Sequence, residues 1–328
     1  VSLGRPLLAD PDYVNKLRAG RREEIRPCIS CQEGCMGRVQ EYSMINCAVN
    51  PQAARERVTA YEPVRKSKKV LVVGGGVAGC EAARVLAVRG HMPVLFEKTG
   101  SLGGNLIPGG APAFKEDDLE LAKWYETALK KLDVPVHLHT EVRKEDVLKA
   151  EYDAVIVATG SSPKVFPLGD DSHVYTAAQV LTKEKDCGSS TVVVGGGLVG
   201  CETALWLAQN GKQVTIVEAL DSLMAVNGPL CHANKDMLER LIPYNGIDVV
   251  TGAKVTGFKN GTLSYLIRDE EEQISCDSVI LSVGYREENM LYQDLQFDVP
   301  EIYLLGDAKK VSNIMYAIWD AFEVANHI

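Results

Sequence analysis

The chain has 328 residues, 46% of them hydrophobic, and a formal net charge of -9. That length exceeds one comfortable core and asks for about two or three domains, while the acidic balance argues against a nucleic-acid surface, where phosphate neutralisation needs clustered Lys and Arg. No apolar run approaches the roughly 18 residues of a membrane span, and the polar N-terminus has no signal-peptide pattern, so the expectation is a cytoplasmic protein with neither membrane nor nucleic acid as partner.

In chain order, the sequence opens at Val1 without an initiator Met and runs into "VSLGRPLLADPD", which reads as the middle of something longer. Next comes "CISCQEGC": Cys28, Cys31 and Cys35, followed by Cys47, in the pattern C-x2-C-x3-C-x11-C. The nine cysteines are an odd count in an acidic chain without export signals, so metal ligation is expected rather than a disulfide framework. Three thiolates on one short loop can wrap three corners of a cube while the fourth arrives from the next turn, a spacing suited to [4Fe-4S]. Structural zinc is the alternative, although zinc ribbons usually bring two separated C-x2-C knuckles. The basic run "VRKSKK" (64–69) reads as a solvated linker before a strand.

The stretch "KVLVVGGGVAGCEAARVLAVRGHMPVLFEK" (69–98) returns as "TVVVGGGLVGCETALWLAQNGKQVTIVEA" (191–219), with about half the aligned positions identical from the glycines to the acid. Each copy predicts a strand, a glycine turn, a helix with apolar spacing such as Ala83, Leu86 and Ala87, and a second strand ending in Glu97 or Glu218. Gly74, Gly76 and Gly79, and again Gly195, Gly197 and Gly200, form the G-x-G-x-x-G of a dinucleotide turn. Its first Gly permits the tight turn, the second lets a pyrophosphate approach the backbone, and the third lets helix and strand pack. Helix N–H groups meet the phosphate charge and the carboxylate receives the ribose hydroxyls. Glu218 is followed by Ala219 and Leu220 with no nearby Arg, so a 2'-phosphate finds no cation and NADH is favoured over NADPH.

Cys80 and Cys201 take equivalent places after the third glycine, where a small apolar side chain packs. Cys187, Cys231 and Cys276 have no cysteine close in sequence, and no C-x-x-C in the second repeat's domain supports thioredoxin-reductase dithiol chemistry. His137 and His139 alternate in "VHLHT" as two solvent-exposed residues on one strand face. "YDAVIVATGSSP" (152–163) is a strand into a Gly turn, "DSVILSVGYRE" (277–287), with Gly284, its weaker counterpart. "EIYLLGDAKK" (301–310) predicts a strand that delivers Gly306 and Asp307 to an exposed turn before a final helix over about 314–326.

These residues resemble the two-dinucleotide-binding flavoproteins, in which an FAD domain is interrupted by an NAD(P)H domain. The resemblance implies that Gly74, Gly76, Gly79 and Glu97 hold FAD, with Gly103, Gly104 and Asn105 under the pyrophosphate and flavin side, and Val142 at the adenine. It further implies that Thr159 and Gly160 close the turn over the dinucleotide and that Asp307, after Gly306, accepts from the ribityl chain. Gly195, Gly197, Gly200, Glu218 and Gly284 would hold NADH.

"RPCISCQEGCMGRV" with "CAVNPQAARE" resembles a narrower group, the Old Yellow Enzyme-like NADH:flavin oxidoreductases of the 2,4-dienoyl-CoA reductase and trimethylamine dehydrogenase type, from residue 1 to the last helix. The cysteine spacing is that of the dienoyl-CoA reductase branch. Such proteins carry an N-terminal TIM barrel with FMN, then the cluster, then FAD and NAD(H) domains. "VSLGRPLLADPDYVNKLRAG" then looks like the barrel's last strand and helix, with Gly4 and Arg5 at the FMN phosphate.

The implied fold is α/β: two Rossmann-like dinucleotide-binding domains, the second inserted in the first, after a TIM-barrel tail and a Cys-rich cluster loop. The expected division is 1–24 barrel remnant, 25–65 iron–sulfur segment and linker, 66–165 plus 288–328 FAD-binding, and 166–287 NAD(H)-binding. The implied function is electron input: hydride from NADH to FAD, then single electrons through [4Fe-4S], held by Cys28, Cys31, Cys35 and Cys47, to FMN in the chain's own missing barrel, which reduces an activated C=C of enone or dienoyl-CoA type. The substrate pocket and proton donor belong to that barrel, so no catalytic residue is assigned. Two alternatives stand beside this reading: an amine dehydrogenase with non-redox ADP in the dinucleotide domains, and a non-catalytic, zinc-stapled nucleotide scaffold.

Overall fold

The computed structural model describes residues 2–169, 171–225 and 230–328. The chain forms two compact units, one of Val1–Gly110, Lys115–Ser162 and Glu287–Ile328, the other of Ala111–Phe114 and Pro163–Arg286.

The first unit is built on a five-stranded parallel sheet in the order Ile302–Leu304, Ala154–Val157, Lys69–Val73, Met92–Phe96, Val136–His137. Its two central strands, "KVLVV" and "AVIV", are apolar almost throughout because helices cover both faces of a parallel sheet. The helices Val77–Arg89, Glu116–Lys131 and Ile314–Ala325 supply Leu86, Leu121, Tyr125 and Phe322 to a core shared with Val70, Val72 and Ile156. Connections leave Lys69–Val73 toward one edge and return beside it at Ala154–Val157, so the strand order reverses there; open α/β sheets bind ligands at such a point.

The N-terminal segment departs from expectation. Residues 2–20 give two short helices, Arg5–Ala9 and Tyr13–Arg18, and no strand among the described residues. Pro6 in the first helical turn, ahead of the helix-forming "LLA", accounts for the first of them. Ile29 and Val49 of the cysteine segment pack on the core just described. The basic run is also no free linker: Val64 N–H donates to Arg89 C=O at 3.0 Å, and Lys68 Nζ lies 2.6 Å from Glu301. The strand carrying His137 ends there, stacked on Phe96 at 4.6 Å, while His139 turns left-handed (φ 54°), so the two histidines do not share a strand face.

Between these helices lies a buried ion pair. Arg84 donates through Nε and Nη2 to both carboxylate oxygens of Glu81 at 2.8 Å, with Tyr61 Oη 2.6 Å from Nη2 and Tyr125 Oη donating to Glu81 at 3.2 Å. Glu81's charge holds the guanidinium protonated against burial. Removing one partner strands the other charge, so Glu81→Leu is expected to destabilise the fold by about 3–5 kcal/mol. The double variant Glu81→Leu/Arg84→Met should lose clearly less in denaturant titration.

The second unit repeats the plan with the parallel order Val174–Thr176, Ser278–Leu281, Ser190–Val194, Gln213–Val217, Asp248–Val250. A three-stranded antiparallel sheet, Ala253–Lys259, Thr262–Ile267 and Glu270–Ser275, packs Phe258 and Leu263 against Val192 and Val194. The helix Leu198–Gln209 follows the strand Ser190–Val194, as Val77–Arg89 follows Lys69–Val73. No helix among the described residues is long and apolar enough to cross a membrane.

Candidate cofactor sites

Three glycines do three different jobs at the end of strand Lys69–Val73. Gly74 is left-handed (φ 106°), and a Cβ there would stand 2.3 Å from Ala158 O. At Gly79 a Cβ would stand 1.9 Å from Gly74 O, so helix and turn touch backbone to backbone. At Gly76, the N-cap of helix Val77–Arg89, a Cβ would meet nothing within 4 Å. That open face, with the unpaired N–H groups of the first helical turn behind it, is where a phosphate can approach. Glu97 is buried at the end of the next strand, its carboxylate taking the N–H of Gly75 at 2.6 Å and of Thr99 at 2.7 Å.

Other expected residues gather around this turn. Gly103 N–H donates to Gly75 C=O at 2.9 Å, and a Cβ on left-handed Gly104 would come within 3.0 Å of Gly76 Cα. Asn105 Nδ2 reaches Ser161 Oγ at 3.4 Å, and Ser161 Oγ donates to Asp307 Oδ2 at 2.9 Å; Ser312 N–H donates to Asp307 Oδ1 at 3.0 Å. Asp307 is therefore oriented from both sides and half-buried, not in a fully exposed turn. Ser161, which links two expected residues, was not singled out by the sequence, since a Ser after "ATG" carries no periodic signal. Thr159 Oγ1 donates to Glu288 C=O, and Gly160 is left-handed with open space around its Cβ position. Gly306, also left-handed, gives its N–H to Asp320 at 3.0 Å and abuts Ala78. Val142 packs with Leu71 and Val73, on the other face of the sheet from Val70 and Val72.

The second unit reproduces the turn. Gly195 (φ 105°) would clash with Ser282 O at 2.4 Å, Gly200 with Gly195 O at 1.9 Å, and Gly197 caps helix Leu198–Gln209. Glu218 accepts from Gly196 N–H and, at 2.8 Å, from Leu220 N–H. Ser282 stands where the first turn has Ala158, and its buried Oγ has no hydrogen-bond partner among the described residues, a feature the sequence did not flag. Gly284 is left-handed and exposed, its C=O taking Lys164 N–H at 2.9 Å. Cys80 and Cys201 back the two turns, each thiol against the carbonyl of the middle glycine, at 3.2 and 3.4 Å. Burial pushes the Cys80 thiol up and that of Cys201 up to about 12, so both are packing groups rather than nucleophiles.

Cys28, Cys31, Cys35 and Cys47 all line one small cavity of the first unit, with Arg5, Ile29, Gly34 and Val49. Left-handed Ser30 and Gln32 fold the loop back, and one wide turn closed by Gly37 N–H on Gln32 C=O at 2.8 Å presents Cys35. Gly34 lets the extended segment bearing Cys47 come close: a Cβ there would lie 2.9 Å from Ala48 N and 3.0 Å from Cys47 C, and Asn46 N–H donates to Gly34 C=O at 2.7 Å. Burial pushes the Cys31 thiol up to about 12 and also raises that of Cys47; backbone N–H groups of Glu33, and of Val49 and Asn50, aim at those sulfurs and pull the other way. No cysteine forms a disulfide. Among the described residues no three His, Cys, Asp or Glu side chains converge to hold a single metal ion. Gly4 precedes the helix whose first residue is Arg5.

Residues 68–321 match the family described as pyridine nucleotide-disulphide oxidoreductase. Cinnamate reductase of Clostridium sporogenes is 49% identical over 328 residues, covering 100% of this chain and 49% of that protein. NADH oxidase of Thermoanaerobacter brockii is 36% identical over 337 residues, 99% of this chain and 51% of that protein. The solved 2-naphthoyl-CoA reductase in complex with 2-naphthoyl-CoA superimposes with a TM-score of 0.92 at 28% identity, over 99% of this chain and 50% of that one. The chain thus spans about half the length of the relatives it matches. With both glycine turns and their acids in place, the chain belongs to the pyridine nucleotide-disulphide oxidoreductase family and, within it, stands with the Old Yellow Enzyme-like flavoprotein reductases.

Proposed function

We propose that this chain is the electron-input module of an NADH-dependent flavin and iron–sulfur oxidoreductase. The observation that carries the reading is the pairing, in one compact unit, of an open glycine turn with a cavity lined by four cysteines. Bound FAD would supply hydride acceptance from NADH, and a [4Fe-4S] cluster held by Cys28, Cys31, Cys35 and Cys47 would supply one-electron relay toward the reduction of an activated C=C.

The chain's own part is binding and positioning. Gly74, Gly76 and Gly79 bring helix N–H groups to the FAD pyrophosphate, Glu97 takes the ribose, Gly103, Gly104 and Asn105 lie beneath the dinucleotide, and Val142 meets the adenine. Thr159, Gly160 and Gly306 shape the turn from which Asp307, steadied by Ser161 and Ser312, receives the ribityl hydroxyls. Gly195, Gly197, Gly200, Glu218 and Gly284 do the same for NADH. In a cube each thiolate binds a different iron, and four cysteines in C-x2-C-x3-C-x11-C spacing around one cavity suit that arrangement.

Gly4 and Arg5 are assigned to the phosphate of FMN in an N-terminal barrel, the module's partner, and the substrate to the enone or acyl-CoA class, in keeping with relatives named for cinnamate and 2-naphthoyl-CoA. The division into 1–24, 25–65, 66–165 plus 288–328, and 166–287, and a cytoplasmic setting, belong to the same reading.

Anaerobic reconstitution of the chain with FAD, iron and sulfide is expected to yield a coloured protein that oxidises NADH with a dye acceptor. A chain that takes up no flavin and leaves NADH untouched overturns the proposal. Coenzyme choice offers a second check. Glu218→Arg removes the carboxylate that takes the ribose and supplies a cation for a 2'-phosphate, so kcat/KM should fall for NADH and the NADPH:NADH ratio rise roughly tenfold or more. An unchanged ratio removes Glu218 from the coenzyme site.

A further inference from the structure

Arg26 stands two residues before Cys28, and its guanidinium is hydrogen-bonded to the chain two and three residues after the fourth cysteine. Nη1 donates to Val49 C=O at 2.9 Å and reaches Asn50 Oδ1 at 3.4 Å, while Cζ lies 4.6 Å from the Trp124 ring centroid. Its backbone N–H donates to Asp10 at 2.8 Å, and Trp124 is itself tethered through Nε1 to Glu24 C=O at 3.0 Å. The partners of the guanidinium itself are neutral acceptors and an aromatic face, while the Asp10 carboxylate meets only the backbone N–H. Two carboxylates of the same segment are engaged elsewhere, Asp10 by Lys16 and Glu24 by Arg21 and Lys131, and among the described residues Arg26 forms no ion pair.

We propose that Arg26 is the fixed cation that sets the redox potential of the cluster held by Cys28, Cys31, Cys35 and Cys47, an inference that rests on the reading above. One-electron reduction adds a negative charge to a cluster in a poorly solvated pocket, and net charge and hydrogen bonding around the sulfurs are the levers by which a protein moves such a potential. A guanidinium beside Cys47 favours the added electron. Among the described residues the charged side chain that lines the cavity itself is Arg5. Arg26 differs from Arg5 in being held on three sides, by Val49, Asn50 and Trp124.

The test is a potentiometric titration of the reconstituted chain, followed by the electron paramagnetic resonance signal of the reduced cluster. In Arg26→Gln, which keeps a donor for Val49 but loses the charge, the reduced-to-oxidised ratio at a fixed applied potential should fall about tenfold, a downward shift of about 59 mV for one electron. Arg26→Lys, which keeps the charge but not the planar stack, should stay near wild type. Asn50→Asp, which sets a carboxylate against the guanidinium with almost no change of shape, should shift downward as Arg26→Gln does. An unchanged midpoint in Arg26→Gln with full iron content overturns the inference, as do equal shifts in the Gln and Lys variants, which would mean that packing matters and charge does not. Should Arg26→Gln take up no iron, an unchanged midpoint in Asn50→Asp overturns it. A wild-type chain that assembles no cluster removes the reading and the inference together, whereas a normal wild-type cluster with an insensitive Arg26→Gln removes the inference alone.

Discussion

Gly79→Ala is expected to purify without flavin and to show only background NADH oxidation with a dye acceptor. The reason is steric and local. A methyl group at this position would lie 1.9 Å from Gly74 O, and a backbone carbonyl cannot step aside as a side-chain tip can. The helix Val77–Arg89 must therefore lift from its strand or the turn must open, and either movement costs about 1–3 kcal/mol or more in a close-packed core. Gly76→Ala is the informative partner. With nothing within 4 Å of its Cβ position the fold should keep its thermal midpoint, yet the methyl group occupies the face through which pyrophosphate approaches. Loss of flavin without loss of stability in Gly76→Ala, and loss of both in Gly79→Ala, separates the ligand face from the packing face of one turn. Normal flavin binding by Gly79→Ala would show that this turn is not the FAD site. Gly200→Ala carries the same 1.9 Å conflict in the second unit and should abolish reduction by NADH while flavin stays bound.

Gly34→Ala is expected to weaken cluster assembly roughly 10–100-fold, the range seen when groups supporting metal ligands are changed. Its Cβ would fall 2.9 Å from Ala48 N and 3.0 Å from the carbon of Cys47, so the added carbon presses on the backbone that delivers the fourth sulfur. The Gly34 carbonyl also holds Asn46 N–H at 2.7 Å, which ties the two cysteine-bearing segments together at that point. Iron and sulfide content after reconstitution should drop sharply, while flavin content and the Gly79-dependent turn stay intact. Full iron loading in this variant would mean that Cys47 does not complete the ligand set.

The two glycine turns were legible in the sequence because each glycine answers a constraint inside its own strand–turn–helix. A left-handed Gly74, a carbonyl contact at Gly79 and an acid at the end of the following strand recur at Gly195, Gly200 and Glu218 with the same spacing. The strand leading to Gly306 and Asp307, and the final helix, observed over Ile314–Ala325, were readable for the same reason. What the sequence hid depends on contacts between distant segments. Ser161 acquires its role only when Asp307, 146 residues later, comes within 2.9 Å. Arg26 reads as one more charged residue until Val49 and Trp124 fix its place. The N-terminal strand expected by resemblance gave way to short helices, and the alternation of His137 and His139 failed because the chain turns left-handed at His139. Both errors came from letting a short pattern stand for a pairing it could not specify alone.

The order of strands in the first sheet also bears on how the protein is made. Its edge strand, Ile302–Leu304, and the closing helix Ile314–Ala325 are encoded after the whole of the segment Pro163–Arg286. During synthesis that inserted segment emerges as a nearly continuous piece, while the unit around it waits for the segment Glu287–Ile328. A chain cut between residues 287 and 305 therefore keeps the whole of Pro163–Arg286 but leaves the first dinucleotide turn without the wall that Gly306 and Asp307 provide.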